Sequence, residues 1–94
     1  MLTLIIYDIS EDSYRNKLVK FLQEYGLKRI QYSGFLGDIN PHDRIVMAKE
    51  IGKFISTKGD SIYIIPLCNR CKRLAKMISK DDNELEDLEK IKII

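Results

Sequence analysis

The sequence predicts an α+β fold in which two helices lie on one face of a small antiparallel sheet. Three observations carry that expectation. Short apolar runs at Leu2–Asp8 and at residues 60–66 have the length and β-rich content of strands. Two segments between these runs repeat apolar residues at helical spacing. Between the two helical segments, residues 28–39 alternate in strand fashion but are interrupted by Gly34 and Gly37, which suits a bend or a hairpin of two strands.

The elements follow in chain order. Leu2–Asp8 is nearly continuous in apolar residues and reads as a strand buried on both faces, hence central in its sheet. Ser10 is suited to cap the helix that follows, and Glu11 and Asp12 place acids where the helix dipole favours them. Tyr14, Leu18, Phe21, Leu22 and Tyr25 form its apolar stripe, and Gly26 supplies a left-handed stop. Asn40 and Pro41 start the second helix as N-cap and first residue, with Met47, Ala48, Ile51, Phe54 and Ile55 as the expected buried face. Residues 60–66 form another strand, closed by Pro66. Residues 74–79 read as an edge strand or a helical turn, and residues 88–94 contain a β-rich end. With two strands in 28–39 the core is βαββαβ, the ferredoxin-like sandwich.

Ninety-four residues make one domain with a thin stability margin, for which symmetric self-association is a natural supplement. Apolar residues at 45% and charged residues at 32% suit a folded, soluble chain. No apolar run approaches the ~20 residues of a membrane span, so no membrane role is expected. Met1-Leu2-Thr3 carries no basic region of the signal-peptide kind, and two cysteines make no secreted disulfide framework. A cytoplasmic location is the expectation. The net charge of +2 conceals a segregation. Residues 14–30 hold Arg15, Lys17, Lys20, Lys28 and Arg29 against Glu24 alone. Residues 68–80 hold five more basic residues and no acid, and acids then dominate from Asp81 to Glu89. Basic blocks of this kind suit phosphate backbones, and ordinary surface clustering is the plain alternative.

Asp8 is the strongest candidate for chemistry. It ends the first strand beside a helix start, a common placement for a site in folds of mixed helix and sheet. A turn-stabilising aspartate is the structural alternative. Magnesium takes one or two carboxylates and keeps several waters, so a two-fold axis near this loop would supply the second carboxylate. Tyr7, Tyr32 and Phe35 are stacking candidates for unpaired bases or, alternatively, core aromatics. Cys68-Asn69-Arg70-Cys71 has the spacing of a redox pair, or of half a zinc site pooled across a dimer, but stands without a second pair. His42 is alone at a helix start and reads as a surface residue. A nucleophilic triad has no support, since His42 is the single histidine and no serine sits in a glycine-flanked elbow, and no glycine loop leads into a Lys-Ser/Thr helix start.

An ordered series runs through these residues: Tyr7-Asp8-Ile9, then Arg15-Asn16-Lys17-Leu18, Tyr25-Gly26, Arg29-Ile30-Gln31-Tyr32-Ser33 and Phe35. The series resembles the small CRISPR-associated endoribonuclease family, homodimeric partners of the CRISPR integrase in spacer acquisition. The likeness is close through Asn40, agrees in strand order through Pro66, and is much less specific from Cys68 onward. It implies a ferredoxin-like fold with an extra C-terminal strand, residues 80–94 extending the partner subunit's sheet in a homodimer. It further implies a metal-dependent endonuclease acting on single-stranded RNA, duplex DNA or both, with Mg²⁺ or another divalent cation such as Mn²⁺. Asp8 would be the catalytic and metal-binding residue, facing its mate across the dimer axis. Arg15, Lys17, Arg29, Ser33 and Phe35 match positions around the family's nucleic-acid cleft. Gly34 departs from the family's usual valine. Two other functions fit the same residues: a non-catalytic scaffold bridging integrase dimers, and a toxin-like messenger-RNA interferase.

Overall fold

A computed structural model describes residues 1–76 and residue 78. Its elements are β1 (Leu2–Asp8), α1 (Asp12–Glu24), β2 (Lys28–Gln31), β3 (Gly34–Asp38), α2 (Pro41–Glu50), β4 (Ser61–Leu67) and α3 (Asn69–Leu74). A 3-10 turn, Ile51–Phe54, continues α2. The sheet order is β2-β3-β1-β4 with every neighbouring pair antiparallel. This is the ferredoxin-like arrangement that the βαββαβ order predicts.

β1 is central, paired along its length with β4 and over Leu2 to Ile6 with β3. Its two faces are unequal. Thr3, Ile5 and Tyr7 are buried towards the helices, where Leu18, Leu22 and Met47 close the main core. On the other face Leu2 is buried, Leu4 is half-buried, and Ile6 is 42% exposed. The strand is therefore central as expected, but only one of its faces is fully covered by the described residues. A continuous apolar run does not distinguish a covered face from an apolar face left open.

The helix ends show which local signals prevailed. α1 begins one residue late, with Glu11 at the N-cap and no side-chain capping bond. Ser10 is drawn instead to Asp60. At the other end Gly26 adopts φ 82°, its N–H reaches the Gln23 carbonyl at 2.9 Å, and the Leu27 N–H reaches that of Leu22 at 3.2 Å. That pair of bonds is a Schellman stop, which needs the left-handed residue. Asn40 caps α2 as expected, its side chain accepting the Asp43 N–H at 2.8 Å. Met47, Ile51 and Phe54 are buried as expected, but Ala48 and Ile55 are exposed. The tightening into a 3-10 turn after Glu50 rotates the later residues off the helical stripe.

Residues 28–39 do form two strands, with a register irregularity between Arg29 and Gln31. Gly37 permits a close approach: a Cβ there would lie 2.7 Å from Leu27 Cδ2 and 3.1 Å from Leu27 Cα. Gly34 has ordinary room, with Gln31 Cβ nearest at 3.4 Å. Residues 69–74 are helical, so the 74–79 segment is preceded by a helix that the sequence reading did not anticipate. The expected strand in residues 80–94 lies outside the described residues.

Gly37→Ala should lower stability by about 1–3 kcal/mol through overpacking against Leu27. Gly34→Ala should be neutral or stabilising by roughly 0.5–1 kcal/mol, because it removes backbone freedom without a clash. Urea unfolding of the two variants checks this, with the Gly37 variant alone showing the lower midpoint.

Candidate active site at the end of the central strand

Asp8 is the last residue of β1 and is exposed. Side chains alternate along a strand, so Asp8 belongs to the same face as Leu4 and Ile6, the face that the helices leave open. Across the β1–β4 ladder it opposes Ser61, the first residue of β4. The β1–β3 ladder ends two residues earlier, at Ile6 and Gly34. Beyond it the Tyr7 N–H donates to the Ser33 carbonyl at 3.0 Å, and the Tyr7 hydroxyl donates to the Tyr32 carbonyl at 3.1 Å. These two bonds hold the β2–β3 turn beside the carboxylate end of β1. Tyr32 itself is 71% exposed.

On the other side of Asp8, two anchors fix the loop into α1. Arg15 Nη1 donates to the Ile9 carbonyl at 2.9 Å, and the same guanidinium pairs with Asp12. Asp60 forms the stronger anchor. Its carboxylate accepts the backbone N–H groups of Ser10 (3.0 Å), Ser56 (3.0 Å) and Thr57 (3.3 Å). It also accepts the hydroxyls of Ser10 (2.9 Å), Thr57 (2.9 Å) and Ser56 (3.2 Å). Only 9% of Asp60 is exposed. The N–H groups of Ser56 and Ser10 hold its pKa well below the usual carboxylate range, outweighing the opposite effect of burial.

The remaining sequence candidates divide between locations. Arg29 is exposed on β2, with its guanidinium 5.8 Å from the Tyr32 ring centre and 5.2 Å from that of Phe35. Ser33 is half-buried at the turn. Phe35 requires a correction as a nucleic-acid contact. Its ring is fully buried and packs on Tyr7 with centroids 6.3 Å apart, so it offers no stacking surface to a base. Phe35 acts instead as the floor on which Arg29 rests. Lys17 is exposed on α1, 5.7 Å from the Tyr14 ring centre. It borders a cleft with Lys20 and Lys53, which belongs to the helical layer rather than to Asp8's sheet face.

Asp60 escaped the sequence reading, which took it as the first residue of a strand; β4 begins at Ser61. The available signal was the spacing Ser56-Thr57-Lys58-Gly59-Asp60, a turn whose aspartate can bond back to its own N–H groups. Among the described residues no group of three or more His, Cys, Asp or Glu is placed to hold a metal. One copy of Asp8 therefore does not make a metal centre by itself.

The chain matches the family described as CRISPR associated protein Cas2 over residues 1–75. It is 51% identical over 85 residues to the CRISPR-associated endoribonuclease Cas2 1 of Archaeoglobus fulgidus, covering 90% of each chain. It is 36% identical over 78 residues to the CRISPR-associated endoribonuclease Cas2 of Desulforudis audaxviator, covering 83% of this chain and 74% of the relative. Its fold is similar to that of Streptococcus pyogenes Cas2 crystallised at pH 6.5, with a TM-score of 0.69 at 23% identity, covering 84% of this chain and all of the other. No helix among the described residues is long and apolar enough to cross a membrane.

Asp60 gives a pH prediction. Its folded pKa lies below the unfolded value, so its bonds contribute stability that is complete above the carboxylate range, begins to fall within it and is fully lost only as pH drops through the lower folded pKa. Asp60→Asn should unfold several degrees earlier at neutral pH. The gap to the unaltered chain should narrow between about pH 5 and pH 3. Thermal unfolding across that range checks both the size and the sign.

Proposed function

The chain belongs to the Cas2 family, and from that membership we propose that it is a metal-dependent endoribonuclease of CRISPR adaptation, with Asp8 as its catalytic carboxylate. One observation carries the assignment of Asp8: it is exposed at the end of the central strand, on the sheet face that the helices leave uncovered. That face is apolar, with Ile6, Tyr63 and Ile65 at 42%, 58% and 38% exposure. Burying such a surface against a second copy is favourable at about 25 cal/mol per Å² of apolar area. A two-fold axis through the Asp8 end of this face would bring two carboxylates together.

The pair would hold one divalent cation, Mg²⁺ or Mn²⁺, which would supply charge neutralisation for a phosphodiester and acidify water in the site. The chain's own groups do the rest. Asp8 keeps that charge at the sheet end, where the Asp60 anchor and the Tyr7 bonds hold its two flanking loops. Arg29, resting on Phe35, presents a cation beside the exposed ring of Tyr32. Together they suit a phosphate and an unpaired base of single-stranded RNA. Hydrolysis adds water across the P–O bond, and the departing oxygen takes up a proton.

A second reading has its own observation. Lys17, Lys20 and Lys53, against the single acid Glu24, border a cleft on the helical layer, away from Asp8. Such a surface binds backbone without chemistry, as a scaffold between copies of the CRISPR integrase on duplex DNA would require.

Asp8→Asn should reduce metal-dependent cleavage of single-stranded RNA by about a hundredfold or more, as when one electrostatic partner of a transition state is removed. Circular dichroism should be unchanged. Activity that persists in the variant would place the chemistry elsewhere. Lys17→Ala should instead weaken duplex binding and reduce the log–log salt slope by about one, with cleavage little altered. Ile65→Glu should give a monomer by light scattering and lose cleavage, and a fully active monomer would sink the two-fold site.

A further inference from the structure

Cys68 and Cys71 stand apart from this chemistry. Cys68 is the N-cap of α3, and its Sγ accepts the Cys71 backbone N–H at 3.4 Å. Both residues are exposed and both are free thiols. The intervening and following residues include Arg70, Lys72 and Arg73, and residues 61–80 contain no acid. We infer that Cys68 and Cys71 form a dithiol–disulfide exchange site that reacts with negatively charged, low-molecular-weight disulfides of the glutathione class.

Geometry and charge both support this. Residues three apart on one helical turn are neighbours, and the Cys68 sulfur is already turned towards residue 71. The two thiols are also unequal. Hydrogen bonds from the Cys71 backbone and thiol hold the Cys68 pKa below the usual thiol value, while donating to Cys68 raises that of Cys71. Cys68 is thus the attacking sulfur and Cys71 the resolving one, because the thiolate is the nucleophile in exchange. The basic neighbours attract an anionic disulfide and stabilise the thiolate.

The reaction balances in two steps. Cys68 thiolate attacks one sulfur of the small disulfide, forming a mixed disulfide and releasing one small thiolate. Cys71, losing its proton to solvent, then attacks the Cys68 sulfur and releases the second small thiolate. Two electrons pass from the cysteine pair to the small disulfide, which is reduced to two thiols.

The test equilibrates the full chain, reduced and free of oxygen, with mixtures of glutathione and glutathione disulfide. N-ethylmaleimide then traps free thiols for intact mass measurement. The expected product is a monomeric chain lighter by two hydrogens, taking up no maleimide and restored by dithiothreitol. Cys71→Ser should stop at the glutathione mixed disulfide. Cys68→Ser should react with iodoacetamide several-fold more slowly at neutral pH than Cys71→Ser. The inference is overturned if both thiols remain alkylatable under the oxidised mixtures or if only disulfides between chains form. It is equally overturned if the purified chain retains stoichiometric zinc that masks both thiols, which would make the pair a metal site.

Discussion

The pairing of β1 on both of its edges is the constraint on which the rest of the structure depends. With β3 on one side and β4 on the other, the strand cannot rotate or slip without breaking two ladders at once. Because side chains alternate, that register commits Thr3, Ile5 and Tyr7 to the helical core and Leu4, Ile6 and Asp8 to the opposite face. A slip of one residue would put a carboxylate under the helices and expose Tyr7. The position of Asp8 is thus tied to core burial five and three residues upstream, at Thr3 and Ile5, and not to any bond of its own.

The loops around Asp8 are held by different chemistry. Hydrophobic burial is non-directional and fixes layers better than loop ends. Here the loop ends are fixed by directional bonds from buried or half-buried polar groups. Asp60 gathers the 9–10 and 56–57 segments on a single carboxylate, and Tyr7 uses both its N–H and its hydroxyl on the β2–β3 turn. Tyr7 belongs to both systems, its ring packed on Phe35 in the core and its polar groups reaching the rim. Core packing and rim geometry are therefore coupled through one side chain.

How much of this was legible in the sequence follows from the range of each interaction. Gly26 and Asn40 act within one turn of their own helices, and both read correctly from local spacing. The strand order followed from the βαββαβ succession, and the exposed end of β1 followed from Asp8 closing an apolar run. Ser10 misled because its local use as a cap competes with Asp60, fifty residues away in the chain. Phe35 misled for a related reason. Alternation in a short, glycine-broken segment leaves the inward face undecided until β1 supplies the pairing, and pairing puts the ring in the core. Gly37 was visible as an irregularity, but its cause, contact with Leu27, is a tertiary approach that no local pattern encodes.

The distribution of cations bears on how one small sheet could serve both pairing and recognition. If the open face is covered by a second copy, groups at its centre are lost to ligands and only its rim remains accessible. Arg29 and Tyr32 stand on the outermost strand and its turn, and Arg15 is anchored to the loop just beyond Asp8. Lys17, Lys20 and Lys53 border a cleft in the other layer altogether. Covering the apolar face therefore removes Ile6 and Ile65 from water while leaving Arg29 and the three lysines exposed to phosphate. Arg15 is already engaged by the Ile9 carbonyl and Asp12. Two carboxylates brought together at the edge of such a pairing repel each other and a phosphodiester. A divalent cation between them would offset that repulsion more directly than cations on the outer strand or the helical layer. The near-neutral net charge of the chain is consistent with this division, since a small sheet that must approach its own copy is hindered by a uniform positive field.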